Sequence, residues 1–252
     1  MTQRELDIDN LLETSNDRGV IPSIFNYCNR RCERCPFEDR CALRANERRD
    51  KALHPHDDWR QRVQRSFEQT IELLKRWCER EGVEPEQIMS EAPGDADCDP
   101  MEVSDRMRQH PLQTFAEAYT FSAMKLVDAL RRSQAFNTWP AEAQDALDTV
   151  EWYGFRVASK THRALTGFAL REDDDDADWV QSDWNGSAKV ARLEIRESRD
   201  AWEVLLRSGG AAADSPLRGL ITHLDQLDGK VADTFPQAMA FVRPGFDEPE
   251  RA

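Results

Sequence analysis

A chain of 252 residues with a formal net charge of −14 and 39% hydrophobic residues has enough apolar material for one large core or two small ones. So acidic a polymer is a poor non-specific partner for nucleic acid or anionic lipid, which are polyanions themselves. No apolar run approaches the length that crosses a bilayer.

The first residues, MTQRELDIDNLLETSNDRG, are acidic and amphipathic and lack the basic start and apolar stretch of a signal peptide. A cytoplasmic location is expected, where thiols stay reduced and clustered cysteines serve as metal ligands or redox groups before disulfides. Residues 28–41, CNRRCERCPFEDRC, hold four of the chain's six cysteines at the spacing C-x3-C-x2-C-x5-C. Closely successive cysteines on a winding loop suit a [4Fe–4S] cluster, which takes thiolates from several directions around one compact object. Cys28, Cys32, Cys35 and Cys41 are the expected ligands. The proline after Cys35 stiffens the turn and removes an N–H that would need a partner.

Structural zinc is the alternative cofactor, since it takes four thiolates in a tetrahedron and Cys32–Cys35 has knuckle spacing. A second knuckle pair at the usual distance is missing. The bland reading, incidental cysteines, has to accept four in fourteen residues by chance. C-x3-C-x2-C is also the triplet of radical S-adenosylmethionine enzymes. Those need a barrel of alternating strands and helices, and this chain shows no strand pattern. The apolar flanks IPSIFNY and Phe37 would limit solvent at a metal site. Seven arginines between residues 28 and 49, against four acids, make the segment locally basic, an expected docking surface for an acidic partner protein.

Beyond it the pattern is helical. Residues 56–81 place Trp59, Val63, Phe67, Ile71, Leu74 and Cys78 on one stripe, with Asp57 and Asp58 suited to the N-cap and Gly82 to the stop. His54 and His56 just before this helix are near enough in sequence to replace a thiolate, though a loop role suits them better. Residues 83–109 hold several breakers and read as a connection with one or two short helices. A second helix covers 110–136, with Leu112, Phe115, Tyr119, Ser122, Leu126 and Leu130 inward. A third covers 140–171, with Leu147, Val150, Gly154, Val157, Thr161, Ala164, Leu165 and Phe168 inward. REDDDDAD (171–178) is a solvated acidic loop.

A fourth helix, 185–206, turns Ala191, Ile195, Ser198, Trp202 and Leu205 inward. A fifth begins at Ser215–Pro216 with the stripe Leu217, Leu220, Ile221, Leu224, Leu227 and Val231. FPQAMAFVRPGF reads as a final turn that docks and then leaves. The expected fold is all-α: a four- to five-helix bundle with a small N-terminal four-cysteine metal-binding cap. The expected division is 1–50 for the cap, 51–246 for the bundle and 247–252 for a tail.

The run IPSIFNYCNRRCERCPFEDRC resembles the opening of a family of uncharacterised bacterial helical proteins with the form N-Y-C-x-R-x-C-E-R-C-x-F-x-x-R-C. EWYGFRVASKTHRALTG (151–167) and FVRPGF (241–246) are also similar to that family. The resemblance is tight over 21–41 and loose elsewhere. It implies a shared metal site and brings no assigned activity.

Bundles also house paired metals on Glu and Glu-x-x-His helices, but no Glu-x-x-His occurs here. Glu117, Glu151, Glu194, His162, Tyr119 and Tyr153 lie on or beside apolar stripes, where a polar pocket competes with plain pairing to arginines such as Arg156, Arg192 and Arg196. His223 reads as a satisfied interface residue, Cys78 as a small hydrophobe, and Cys98, among acids, as a poor nucleophile. Three functions are then in play. One is an iron–sulfur protein for electron transfer or redox sensing. The second is a zinc-stabilised non-enzymatic adaptor, and the weakest is a bundle oxidoreductase using the polar pocket. Neither nucleic acid nor membrane is an expected partner.

Overall fold

The computed structural model describes residues 19–84, 99–133, 138–171, 178–208 and 214–248. Among them the chain is all-α, with seven α-helices, several single 3-10 turns and no strand. The helices are α1 (Ala42–Leu53), α2 (Trp59–Glu81), α3 (Pro100–Arg108), α4 (Pro111–Arg132), α5 (Ala141–Ala169), α6 (Asp183–Ser208) and α7 (Asp214–Thr234). Sequence periodicity anticipates the five long ones, and the short α3 falls in the 83–109 connection expected to hold one or two short helices. Only α1 is additional, and at twelve residues it carries too few turns to declare a stripe. The chain forms two compact units, one of 1–97 with 244–252 and one of 98–243.

In the second unit α4 packs on α5, α5 on α6, α6 on α7 and α7 back on α4, so the four long helices close into a bundle. Short α3 packs on α5 and α4. The stripes expected on α5, α6 and α7 are the ones that meet, with Leu147, Val150, Val157, Ile195, Trp202, Leu205, Leu224 and Leu227 fully buried. Each such side chain contributes about 1.5–3 kcal/mol when it leaves water. Small residues let the helices approach closely: Ala116, Ala123, Ala143, Ala164, Ala188 and Ala191 are all buried. On α4 the buried face is turned slightly from the expected one. Ser122 is exposed, while Ala116, Ala123 and Val127 take the inner positions and Phe115, Leu126 and Leu130 pack at its edge.

Helix ends follow local chemistry. Pro100 and Pro111 open α3 and α4, behind Asp99, which accepts from Met101 N (2.8 Å), and His110, whose Nδ1 accepts from Leu112 N (3.2 Å). After α7 the chain turns at Ala238–Ala240 and buries Phe235, Ala238 and Phe241 against the bundle. Buried Lys189 donates from Nζ to Phe241 O (2.6 Å), so the turn is held by a charge-assisted bond as well as by packing. Two large aromatic residues lock the bundle's interior: Trp202 Nε1 donates to Tyr119 OH (3.2 Å), both fully buried.

In the first unit α2 is capped as its sequence dictates. Asp58 accepts from Gln61 N (2.9 Å), Gln61 Oε1 accepts from Asp58 N (2.8 Å), and Gly82 ends the helix at φ +69°. Its apolar stripe is a different matter. Of the expected inward set only Cys78 is buried, whereas Trp59, Val63, Phe67, Ile71 and Leu74 are exposed. Periodicity defines which side of a helix is apolar and carries no information on what covers it. The helix is instead anchored through its polar side, where Arg65 pairs with Asp50 of α1 (2.7 Å) and with Asp57. Cys98, the first residues 1–18, and residues 172–177 of the acidic run lie outside the described residues.

Replacing Tyr119 with Phe leaves the Trp202 N–H without its acceptor in a dry interior. Tyr119→Phe is expected to lower the unfolding free energy by about 1–2 kcal/mol at unchanged m-value. Urea unfolding at pH 7 reads this directly.

Candidate metal centre

The cysteine segment is a closed loop. Ile21 N donates to Arg40 O (2.9 Å) and Arg40 Nε donates to Gly19 O (3.2 Å), so the two ends of the loop are tied at a common neck. Between them the chain makes three 3-10 turns, at Ile24–Asn26, Cys32–Arg34 and Glu38–Arg40. Cys28 follows the first turn. Cys32 opens the second and Cys35 closes it, its N–H donating to Cys32 O (3.2 Å). Cys41 ends the third and stands as N-cap of α1, its carbonyl accepting from Ala45 N (3.0 Å).

The chain winds tightly enough that Ser23 and Arg30 adopt the left-handed region, at φ 58° and 57°. For an arginine this is uncommon and costs energy that the rest of the loop must offset. Asn29 Oδ1 accepts from Arg31 N (3.1 Å) and stabilises that bend.

The loop sits on a small apolar base. Ile21, Ile24 and Cys41 are buried there, with Phe25, Phe37, Leu43 and Phe246 packed around them. Phe37 meets Phe246 edge to face, ring centroids 5.1 Å apart. Phe246 arrives from the far end of the chain through Gly245 at φ +76°, where a Cβ would stand 2.9 Å from the Ile21 side chain. Only glycine both adopts this backbone and admits so close an approach. Sequence reading flagged FVRPGF without seeing that Phe246 completes the floor of the cysteine loop. Nothing in a linear pattern links residues more than two hundred positions apart.

Cys28, Cys32, Cys35 and Cys41 are all free thiols, the first three half-buried and Cys41 buried. Burial pushes the Cys32 thiol above its ordinary value, and Glu47, Cys28 and Cys41 push it the same way against the opposing charge of Arg44. The sulfurs of Cys28 and Cys41 therefore each lie within electrostatic reach of Cys32. Among the described residues, no three His, Cys, Asp or Glu side chains stand grouped to hold a metal ion. Cys28 Sγ instead makes a weak bond to Phe25 O (3.7 Å). His54 terminates α1, its N–H donating to Asp50 O (2.9 Å), and lines a cleft between α1 and α2.

Part of the basic character of the segment is neutralised internally. Arg44 pairs with Glu38 (2.9 Å) and Glu47 (3.2 Å), and Arg48 with Glu38 (2.8 Å) and Asp39 (3.0 Å). These pairs bind α1 to the third turn. They hold Glu38 below the usual carboxylate range, chiefly through its bond from Arg44.

The polar residues singled out in the bundle are not brought into one pocket. Glu117 accepts from Gln113 (2.8 Å), and Glu151 accepts from Arg131 Nε (2.8 Å). Tyr153 donates to Glu197 (2.5 Å), while His162 Nε2 meets Ser104 Oγ of α3 (3.1 Å). Burial, then Arg108, depresses the His162 pKa. Arg192 and Arg196 pair with Asp228, not with the glutamates. His223 Nε2 donates to Phe115 O (2.9 Å) and its ring lies on Phe115.

Glu194 is the outlier. Its side chain is 1% exposed, Arg156 holds Oε1 (Nε at 2.8 Å), and buried Oε2 has no hydrogen-bond partner. Burial raises its pKa to about 7, against the lowering effect of Arg156.

Comparison with family models, with curated proteins and with solved structures finds no match.

Glu194 gives a pH test with a defined sign. An acid whose folded pKa is raised keeps its proton in the native state while the unfolded state has already released it. Stability therefore falls as pH rises from about 4.5 towards 7. His162 acts in the opposite sense in this window, so the comparison must be between variant and wild type. Glu194→Gln removes the ionisation, and its melting temperature relative to wild type is expected to rise from pH 5 to pH 8, by the equivalent of up to about 3 kcal/mol. A difference independent of pH would mean that the Arg156 pair keeps Glu194 ionised throughout.

Proposed function

We propose that Cys28, Cys32, Cys35 and Cys41 hold a [4Fe–4S] cluster and that the protein serves in electron transfer or redox sensing. The observation that carries this reading is the arrangement of four free thiols on one loop, tied at its neck and seated on buried Ile21 and Ile24. Such a cluster supplies a one-electron redox couple. The chain's own residues would do the rest. The four thiols, deprotonated on binding, are the ligands. Phe25, Phe37 and Phe246 exclude water from one side. Arg30, Arg31 and Arg34, within the loop, offset the roughly −2 charge of a four-thiolate site and offer a basic edge to an acidic protein partner.

A structural zinc site is the second reading, in which the loop folds a non-enzymatic adaptor. It is favoured by the 3-10 turn that joins Cys32 to Cys35, which puts the two residues at the ends of one turn as a zinc knuckle requires. The bundle-oxidoreductase reading loses its support, because Glu117, Glu151 and His162 engage separate partners. No helix among the described residues is long and apolar enough to cross a membrane.

Anaerobic purification followed by metal analysis and a visible spectrum decides between the two. About four irons per chain with a broad band near roughly 400 nm, lost in Cys32→Ser, is the expected result. One zinc per chain and no visible absorbance would overturn the redox reading in favour of the adaptor. A protein that folds fully with neither metal would remove both.

A further inference from the structure

Helices α1 and α2 border a cleft of about 280 Å³, just below the roughly 300 Å³ at which sites for small organic molecules begin. Leu43, Asn46 and Leu53 line it from α1, and Arg62, Ser66 and Gln69 from α2. Both helices belong to one compact unit, and none of the four loop cysteines is among the lining residues.

The lining is selective in charge, in hydrogen bonding and in apolar surface. Glu47 and Asp50 face the cleft already matched, Glu47 by Arg44 (3.2 Å) and Asp50 by Arg65 (2.7 Å), and neither of those arginines lines it. Arg62 has no ion-pair partner among the described residues. The cleft therefore holds an unmatched guanidinium, whose planar fork fits the two oxygens of a carboxylate. One fork balances one negative charge, which suits a carboxylate better than a dianionic phosphate. Asn46 Oδ1 is buried and has no hydrogen-bond partner. A buried acceptor left unmet is costly, and an N–H arriving with a ligand removes that cost. Leu43 and Leu53 add aliphatic surface on either side of Asn46 along α1.

We propose that the cleft between α1 and α2 binds a small aliphatic carboxylic acid that carries an amide N–H, the chemistry of an N-acyl amino acid. Its carboxylate pairs with Arg62, its N–H donates to Asn46 Oδ1, and its alkyl group lies against the leucines. The proposal does not rest on the metal assigned above, and no outcome of the metal analysis bears on it.

The test is a titration of the isotope-labelled full chain with N-acetyl-leucine, followed by amide shifts in NMR. Saturable shifts are expected at the side-chain amides of Asn46 and Gln69. N-acetyl-leucinamide, which lacks the charge, is expected to bind about tenfold more weakly, and isocaproate, which lacks the N–H, about fivefold more weakly. Arg62→Gln is expected to abolish the difference between the acid and its amide. Asn46→Leu is expected to abolish the difference between the acid and isocaproate. The comparisons among the three compounds on the wild-type chain decide the matter even where a variant fails to fold. No saturable shift, equal binding of the acid and its amide, or shifts confined to other helices overturns the proposal. So does a preference for the acid that survives Arg62→Gln, or inorganic phosphate binding more tightly than N-acetyl-leucine.

Discussion

Four apolar stripes that close on one another are the constraint on which the bundle depends. Helices α4 to α7 each contact two others, and together they bury Trp202, Tyr119, Tyr153 and the leucine rows of α5 and α7. Once that ring is closed the inward sides of its helices are spent. The apolar sides of α4 to α7 are satisfied by each other, whereas on α2 Trp59, Val63, Phe67, Ile71 and Leu74 are exposed and only Cys78 of the stripe is buried.

Several polar groups drawn inside the bundle find partners on other elements. Thr120 donates to Gly154 O (2.6 Å), Lys189 to Phe241 O, Trp202 to Tyr119, and His223 to Phe115 O. Each bond crosses between elements that are distant in sequence, so it fixes register as well as removing a desolvation cost. Ion pairs at the rim, such as Arg163 with Asp183 and Arg199 with Asp225, are more exposed and contribute about 0–1 kcal/mol each. Others stay unmatched: Glu194 Oε2, Gln113 Oε1, Thr166 Oγ1 and Ser187 Oγ are buried without a hydrogen-bond partner. Of these four groups Glu194 alone is ionisable, so protonation and stability are linked there.

The cysteine loop follows a different logic. It has too few apolar residues to fold on a core of its own, so it relies on a backbone tie at its neck, on ion pairs from α1, and on Gly245 and Phe246 returning from the chain's other end. Glu38, Asp39 and Glu47 are drawn to Arg44 and Arg48. A metal bound by the four thiols would add a further tie among the three turns, which is how small loops with little core are commonly stabilised.

The sequence alone determined the five long helices, several of their caps and, α4 apart, their apolar sides. Asp58 with Gly82 bounded α2, and the stripes of α5, α6 and α7 were written at 3.6-residue spacing, because these properties depend on neighbours a few positions away. It also determined that four thiols share one short loop. Tertiary structure decided what the stripes meet: that Ala116 and Ala123 displace Ser122 on the inner side of α4, that Glu117, Glu151 and His162 go to separate partners, and that Phe246 floors the cysteine loop. It also decided that the apolar side of α2 faces outward. Those outcomes rest on contacts between residues far apart in the chain, and periodicity, which is local, holds no record of them.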